Sequence, residues 1–205
     1  MLLCDIGNTS YHFCSDTDTY KEKTQSFKPQ EIQERVYYIC VHPKLQEQLK
    51  QLENWIDLKE YIDYTPYYKT MGIDRVVACE AVADGVIVDA GSAITVDLMQ
   101  EGVFRGGFIY PGVQAMQKCY ADISSALEYS FNYELDLDIM PKNSQDAVSY
   151  GFLKPLYREL ISYKKQIYLT GGDAQMLAKL FPDAHIDQEL LFRGMKKIIQ
   201  KAGLC

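Results

Sequence analysis

The order of apolar and polar residues in the first half of the chain predicts strands followed by helices. The first four residues are apolar, residues 10–15 and 18–27 alternate between apolar and polar positions, and residues 36–41 form a continuous β-rich run. Alternation is typical of half-buried strands, and an unbroken apolar run is typical of a buried one. Apolar residues at helical spacing then predict helices over 44–55 and 74–83. The apolar stripe of the first helix comprises Leu45, Leu49, Leu52 and Ile56.

The second half of the chain repeats this order of elements. Its predicted strands cover residues 86–88, 93–99, 103–109 and 166–169. Its predicted helices cover about 112–127, 144–163, a short segment ending at 181, and 188–201. Three strands, a helix, a strand, a helix, a short strand and a helix in each half predict an α/β protein with two mixed sheets.

A short phrase occurs twice, each time directly after an apolar strand. The copies are Asp5-Ile6-Gly7-Asn8-Thr9 and Asp89-Ala90-Gly91-Ser92-Ala93, and a second strand follows each. Glycine lets backbone N–H groups approach a ligand without a side chain between them. An adjacent carboxylate can bind the cation that accompanies a phosphate. One Asp-x-Gly turn is more often an ordinary hairpin, but two copies in matching strand contexts predict a duplicated domain that clamps a nucleotide.

Composition narrows the classes of function. The 205 residues carry a formal net charge of −7, which argues against broad binding to nucleic acid or to an anionic membrane. The six cysteines include no C-x-x-C pair and do not group with the three histidines, so no metal cluster of these residues is predicted. Four cysteines lie in apolar runs, which predicts buried thiols in a reducing compartment. With no charged leader and no membrane span in the sequence, we expect a cytoplasmic protein.

Five motifs give the chain a resemblance to a known superfamily. The two Asp-x-Gly phrases and Thr170-Gly171-Gly172-Asp173 resemble the two phosphate motifs and the adenosine motif of the acetate-and-sugar-kinase, heat-shock-chaperone and actin superfamily. Within it, Gly72-Ile73-Asp74-Arg75 and Gly106-Gly107-Phe108-Ile109-Tyr110-Pro111-Gly112 resemble the type III pantothenate kinases. Taken alone, the segment from Thr170 is equally a strand-to-helix turn, and Asp74-Arg75 is more often an acid at a helix start beside a surface Arg.

The resemblance implies a fold and a reaction. The fold would be two ribonuclease-H-like (actin-like) domains, each a mixed five-stranded sheet with flanking helices, and an ATP cleft between them. The first domain would span residues 1–84, joined by the C-terminal helix of about 188–205, and the second residues 85–187. The implied reaction moves the ATP γ-phosphoryl group to the terminal hydroxyl of pantothenate. Its product, 4'-phosphopantothenate, belongs to the first step of coenzyme A biosynthesis.

The resemblance also implies cofactor and nucleotide contacts. Asp5 would organise, through water, the Mg²⁺ that accompanies ATP, and Asp89 would bind a monovalent cation, K⁺ or NH₄⁺. Ser92 stands where the family usually has Thr, and both residues carry a hydroxyl group. The implied ATP contacts are Asp5, Ile6, Gly7, Asn8, Thr9, Ser10, Tyr11, His12 and Ser92.

The implied substrate contacts centre on Asp74, which corresponds to the general base for the pantothenate hydroxyl. For such a base, geometry matters more than a high pKa. A tyrosine is expected shortly before Gly72, and the loop spacing leaves Tyr64, Tyr67 and Tyr68 open while favouring Tyr68. The implied pantothenate contacts are Tyr68, Gly72, Ile73, Asp74, Arg75 and Ser144.

A homodimer is expected on two grounds. Related enzymes are homodimers whose pantothenate pocket is completed across the interface, so Ser144 would serve the partner's Asp74. The helices within 111–163 also carry more apolar residues than one small sheet needs. These residues are Val113, Met116, Tyr120, Phe152, Leu156 and Tyr157.

Three rival functions stay open from the sequence. Another small-molecule kinase or a phosphatase of the superfamily would keep Asp5 and Asp89 but has no need of Gly-x-Asp-Arg. A transcriptional accessory protein is a non-enzymatic rival, which the negative net charge disfavours. An actin-like filament protein is a third, for which the chain is short and lacks an evident polymerising insertion.

Overall fold

The computed structural model describes residues 1–7 and 9–204. The chain divides into two compact units, one formed by residues 1–82 together with the chain from Glu189 onward, and one formed by residues 83–188. The strands are β1 (Leu2–Ile6), β2 (Ser10–Cys14), β3 (Thr19–Lys23), β4 (Val36–Cys40), β5 (Trp55–Asp57), β6 (Gly85–Ala90), β7 (Ala93–Gln100), β8 (Val103–Pro111), β9 (Ile167–Thr170) and β10 (His185–Ile186). The α-helices are α1 (Pro43–Leu49), α2 (Ile73–Ala81), α3 (Val113–Ile123), α4 (Ser144–Ser162), α5 (Ala174–Leu177) and α6 (Leu190–Lys201).

The two sheets have the same topology. The first has the order β3-β2-β1-β4-β5, and the second has the order β8-β7-β6-β9-β10. In each, the central strand pairs antiparallel with the next strand of the chain and parallel with the strand that follows the hairpins. This arrangement confirms the predicted duplicated α/β fold with a mixed five-stranded sheet in each half.

The core of the first unit covers both faces of its sheet. All five residues of β4 are buried, as expected for a parallel strand covered on two sides. Helices α2 and α6 cover one face, where Val77, Phe192 and Met195 join the apolar cluster. Aromatic residues fill the other face, where the Tyr11 and Trp55 rings lie 6.4 Å apart between centroids. Burial of these apolar groups is the main term that stabilises the unit.

The core of the second unit lies between its sheet and α4. Strand β8, at one edge of the sheet, alternates exposed and half-buried positions, so one of its faces is covered. Val113, Phe152 and Leu156, counted in the sequence as surplus apolar surface, are buried in this core. The other three, Met116, Tyr120 and Tyr157, are partly buried and pack against the same core. The apolar surplus that suggested a dimer is therefore used within the unit itself.

One predicted helix was wrong over its second half. Helix α1 ends at Leu49, whereas the apolar stripe predicted a helix to Trp55. The Asn54 side-chain amide donates to the carbonyls of Ile32 and Glu34, both at 2.9 Å, and draws the chain back to the sheet. Trp55 then enters β5 and is buried, with its ring 5.8 Å from that of Tyr38. Burial of this large side chain in the sheet outweighs the local helical preference.

Two further boundaries differ in the second unit. Helix α3 ends at Ile123, short of the predicted 127, because Ser124 is extended and its hydroxyl accepts from the Ala126 N–H at 3.2 Å. The short helix predicted to end at 181 is α5 followed by a 3₁₀ turn, Ala178–Leu180.

Cysteine placement and helix character complete the description. Cys4, Cys14, Cys40 and Cys79 are buried thiols, as predicted, and Cys119 is exposed. In the part of the chain that the structure describes, no helix has the length and apolar character needed to cross a bilayer.

Candidate functional site

The first Asp-x-Gly phrase forms the hairpin between β1 and β2. The Gly7 N–H donates to the Ser10 carbonyl at 3.0 Å, and Asp5 lies opposite His12 in the strand register. Asp5 and Gly7 are half-buried and Thr9 is exposed, so the hairpin can meet a ligand at its tip. Asn8, predicted to contact ATP, lies outside the described residues.

Two of the predicted ATP contacts in this hairpin have buried side chains. Ile6 and Tyr11 belong to the aromatic face of the first core, and the Tyr11 ring lies 4.6 Å from that of Phe27. Burial raises the pKa of Tyr11 to about 12, so its hydroxyl stays protonated at neutral pH. Any contact from these two residues to a nucleotide would therefore come from the backbone.

His12 follows them on β2 with a half-buried ring. The ring packs edge-on against Phe192, with 4.8 Å between centroids. Burial, with a smaller contribution from Lys21, lowers the pKa of His12 from 6.5 to about 4. His12 is therefore a neutral imidazole at neutral pH, able to donate one hydrogen bond and accept another.

The second Asp-x-Gly phrase forms the corresponding hairpin between β6 and β7. The Gly91 N–H donates to the Ala93 carbonyl at 3.0 Å, Asp89 is half-buried and Ser92 is exposed at the tip. Gly112, at the start of α3, packs against this tip, because a Cβ atom there would lie 2.3 Å from the Ser92 carbonyl oxygen. The hairpin is thus held by a close backbone contact that only glycine permits.

The late Thr-Gly-Gly-Asp segment packs beside Asp89. Thr170 lies opposite Asp89 in the parallel register of β6 and β9, and the Asp173 N–H donates to the Ala90 carbonyl at 2.9 Å. A Cβ atom on Gly171 would lie 2.4 Å from an Asp89 carboxylate oxygen. Burial raises the pKa of the Asp173 carboxyl. The fold therefore brings the second phosphate-type and the adenosine-type motifs into contact.

Asp74 lies in the first turn of α2, and Gly72 is the N-cap residue with extended backbone. Its carboxylate accepts a hydrogen bond from the Arg75 N–H at 2.9 Å. A Cβ atom on Gly72 would lie 2.5 Å from the same Asp74 oxygen, so the carboxylate occupies the space that glycine leaves open. Asp74 is half-buried, which leaves part of it accessible to a substrate.

The neighbouring tyrosines differ in their partners. Arg75 is buried, its guanidinium donates to the Tyr68 hydroxyl, and its central carbon lies 5.7 Å from the Tyr68 ring centroid. The Tyr67 hydroxyl donates to a Glu80 carboxylate oxygen at 3.0 Å. The Tyr64 hydroxyl is buried and makes no hydrogen bond within the described residues. Burial, with Asp57 as the smaller cause, raises the pKa of Tyr64 to about 12.

A cavity of about 600 Å³ opens beside the residues that precede Asp74. Gly72 and Ile73 line it on one side, and Cys40 and Val41 line it at the carboxyl end of β4. The Val41 N–H donates to the Ile6 carbonyl at 3.1 Å, which links this wall to the end of β1. The remaining lining residues are Pro43, Gln46, Lys59, Tyr64, Thr65, Tyr67, Lys69 and Met71. Apart from Gly72, Ile73 and the tyrosines, the sequence motifs single out none of these residues.

Ser144 lies in the second unit, at the first position of α4. Its side chain is exposed, while the preceding Asn143 caps the helix by accepting from the Asp146 N–H at 2.9 Å. The Asn143 amide also donates to Asp146 at 2.6 Å. Because Asn143 serves as the cap, the Ser144 hydroxyl is not needed to close the helix start.

Comparison with known proteins gives a consistent result along the chain. The family model for type III pantothenate kinase matches residues 17–162. A type III pantothenate kinase of Sulfurimonas denitrificans is 60% identical over 205 residues, with both chains covered completely. A solved structure from Campylobacter jejuni, described as a conserved member of the Baf family of transcriptional activators, has a TM-score of 0.90 at 40% identity, with both chains fully covered. A Sinorhizobium meliloti structure described as a 2-dehydro-3-deoxygalactonokinase protein has a TM-score of 0.55 at 7% identity, with 98% of each chain covered, and shares the fold alone.

Proposed function

The chain belongs to the type III pantothenate kinase family of ATP-dependent kinases, and from that premise we propose its substrate chemistry and site residues. The reaction transfers the γ-phosphoryl group of ATP to the terminal hydroxyl of pantothenate and gives 4'-phosphopantothenate and ADP. The observation that carries the proposal is the half-buried Asp74 carboxylate, which is held by the Arg75 N–H and directly follows Gly72 and Ile73, two residues that line a cavity.

In the proposed mechanism, Asp74 is the general base. A bond forms between the substrate oxygen and the γ-phosphorus, the bond from that phosphorus to the bridging oxygen breaks, and ADP leaves. Asp74 accepts the hydroxyl proton late, because phosphoryl transfer passes through a loose transition state. The protein then contributes mainly by positioning the reacting groups and by stabilising the charge that develops in the transition state. The Arg75 N–H bond to Asp74 holds the carboxylate in one orientation.

The first hairpin is proposed to bind the ATP phosphates. Gly7, Thr9 and Ser10 would offer backbone and hydroxyl donors, Asn8 and His12 would flank them, and Ile6 and Tyr11 would contribute backbone only. Magnesium in kinases is held by one or two carboxylates together with phosphate oxygens and water. A half-buried Asp5 carboxylate beside the hairpin suits that donor set.

The second hairpin is proposed to hold the monovalent cation and a further part of the nucleotide. Asp89 supplies a half-buried carboxylate for K⁺ or NH₄⁺, and the exposed Ser92 supplies a hydroxyl for ATP. Carboxylate, hydroxyl and carbonyl oxygens are the ligands that hard cations prefer. The packing of Gly171 against Asp89 supports this role, since it holds the carboxylate in place.

Pantothenate is proposed to contact Gly72, Ile73, Asp74 and Arg75, with Tyr68 as the tyrosine that holds Arg75. Ser144 would complete the pocket of a partner subunit in a homodimer. Exposed apolar side chains in the second unit support such an assembly, including Ile109 at 64% and Ile123 at 68% exposure. We further propose a cytoplasmic location, supported by the buried thiols.

The test of the function is a coupled ADP-release assay with ATP, pantothenate and a panel of sugars, with and without potassium. We expect turnover with pantothenate well above the panel. Asp74→Asn is expected to lower kcat by roughly 10²–10⁴ because the base is lost while the shape is kept. Asp122→Asn, at an exposed position of α3, is the matched control. An unchanged rate in Asp74→Asn would remove that residue from the role of base.

The same assay separates the rival functions. Turnover of a sugar in preference to pantothenate would indicate another kinase of the superfamily. A transcriptional role, suggested by the description of the Campylobacter structure, is disfavoured by the net charge of −7. Binding to duplex DNA at physiological salt, without pantothenate turnover, would favour it instead.

A further inference from the structure

The cavity beside Gly72 and Ile73 has a positively charged lining. Among the described residues, Lys59 and Lys69 contribute to this lining and no Asp or Glu does, although the whole chain has a net charge of −7. Its volume of about 600 Å³ lies within the range of ligand-binding cavities, roughly 300–1,000 Å³. A cavity lined in this way favours an anionic ligand.

The two ammonium groups are available to such a ligand. Neither lysine takes part in an ion pair within the described residues. Asp57, close by in sequence, is buried and already accepts from the Gln46 amide at 2.9 Å and from the Lys59 backbone N–H at 3.0 Å. The Asp57 carboxylate therefore accepts hydrogen bonds from groups other than the two ammonium groups.

Tyr64 adds an aromatic side chain to the same wall. Its hydroxyl is buried away from solvent and has no hydrogen-bond partner in the described part of the chain. The residue therefore contributes its ring to the cavity and no polar group. Tyr67 lines the cavity too, but its hydroxyl is already bonded to Glu80.

The cavity lies next to the residues that directly precede Asp74, the proposed base. Pantothenate carries its reacting hydroxyl at one end and a carboxylate at the other. If the hydroxyl lies at Asp74, the chain of the molecule can pass Gly72 and Ile73, which line the cavity and directly precede that residue. The carboxylate then lies near the two lysines.

We propose that this cavity binds the carboxylate end of the substrate, with Lys59 and Lys69 selecting for the negative charge. The assignment rests on the proposed function and extends it to the determinants of specificity. Ammonium–carboxylate hydrogen bonds are among the stronger polar contacts in proteins. A neutral analogue of the substrate has no carboxylate, so the two lysines would not strengthen its binding.

The experiment compares pantothenate with panthenol, in which a neutral hydroxymethyl group replaces the carboxylate. Steady-state kcat/KM is measured for both substrates in the wild type, Lys59→Met, Lys69→Met and the double variant. Each substitution is expected to lower kcat/KM for pantothenate about tenfold and to leave that for panthenol within about twofold. Lys59→Arg and Lys69→Arg keep the charge and should retain most of the preference for pantothenate.

The control is Lys50→Met, an exposed lysine outside the cavity lining, which should leave both values unchanged. Melting temperatures check that each variant folds, and the single variants report on each lysine separately. Equal losses for the two substrates, or no loss for either, would overturn the assignment while pantothenate turnover by the wild type upholds the proposed function. Absence of pantothenate turnover by the wild type would contradict both the cavity assignment and the proposed function.

Discussion

Two carboxylates of the proposed site occupy space that a neighbouring glycine leaves open. Asp74 lies where a side chain on Gly72 would be, and Asp89 lies where a side chain on Gly171 would be. A carboxylate placed against backbone has few alternative rotamers, so it is held in position before any ligand arrives. The glycines of these motifs therefore help to orient the Asp74 and Asp89 carboxylates, and they also let a ligand approach the backbone.

Gly72→Ala should lower kcat with little change in stability. The added methyl group would lie 2.5 Å from the Asp74 oxygen and must displace that carboxylate. Displacement of a catalytic group by about 1 Å can cost on the order of 10²-fold in rate. The measurement is kcat for pantothenate together with the melting temperature, and Glu47→Ala on the exposed side of α1 is the control. A full rate in the variant would show that the carboxylate does not act from this position.

His12 should make the protein less stable as the pH falls. Its pKa is about 4 in the fold, against an ordinary 6.5, so the unfolded chain binds a proton that the folded chain does not. The contribution of His12 to the free energy of unfolding is complete above pH 6.5 and is lost progressively as the pH falls toward 4. Urea midpoints at pH 7 and pH 5, without nucleotide, should shift less in His12→Gln than in the wild type. Equal shifts in the variant and the wild type would contradict this contribution of His12.

Helices α2 and α6 cross at a contact that only glycine allows. A Cβ atom on Gly194 would lie 2.0 Å from the Val77 carbonyl oxygen. Around this contact, Phe192, Met195 and Ile198 of α6 are buried against the first sheet. The Lys197 ammonium donates to the Ala81 carbonyl at 3.1 Å and thereby binds the last turn of α2. The final helix is thus part of the first unit, and it supports the helix that carries Asp74.

Gly194→Ala should destabilise the first unit. The methyl group cannot fit without moving one helix, and overpacking of this kind typically costs about 1–3 kcal/mol. Chemical denaturation followed by circular dichroism measures the loss. Gln200→Ala, exposed on the same helix, should change the unfolding free energy by less than about 0.5 kcal/mol. Equal stability of the two variants would contradict the close helix contact.

The elements predicted from the sequence differ from the structure where packing competes with local pattern. Most strands follow their apolar runs, because an unbroken or alternating apolar pattern has one stable placement in a covered sheet. The segment from Leu52 to Ile56 carries a helical stripe, yet Trp55 lies in β5 because its ring fills the aromatic face. That choice depends on Tyr11 and Tyr38, which are distant in sequence, so local periodicity could not reveal it.

The two units of the molecule have the same strand order, but their equivalent edge strands differ in exposed apolar side chains. Strand β8, at one edge of the second sheet, presents Val103 and Ile109 with 43% and 64% exposure. All five residues of β3, at the equivalent edge of the first sheet, are exposed and mostly polar. An apolar outer strand invites association with another chain. This contrast supports a homodimer through the second unit.

Ile109→Lys should weaken that dimer. A lysine on the outer strand places a charge in the proposed interface, which we expect to raise the dimer dissociation constant by at least about tenfold. Sedimentation equilibrium at micromolar concentrations measures the effect. Met176→Lys, at an exposed position of α5, is the control. A wild-type protein that is monomeric and fully active would contradict the dimer.

The sequence by itself determined the family, the order of the helices and strands, and the position of Asp74 at the start of a helix. Each of these depends on residues that are close together in the chain. A strand, an Asp-x-Gly turn and a second strand form one hairpin from local contacts, and the Gly72-to-Arg75 phrase forms one helix start. Tertiary packing alone decided which tyrosines are bonded, which apolar residues serve the core, and how Lys59 and Lys69 come to line one cavity. Those outcomes depend on contacts between segments far apart in the chain, and spacing along the sequence does not specify such contacts.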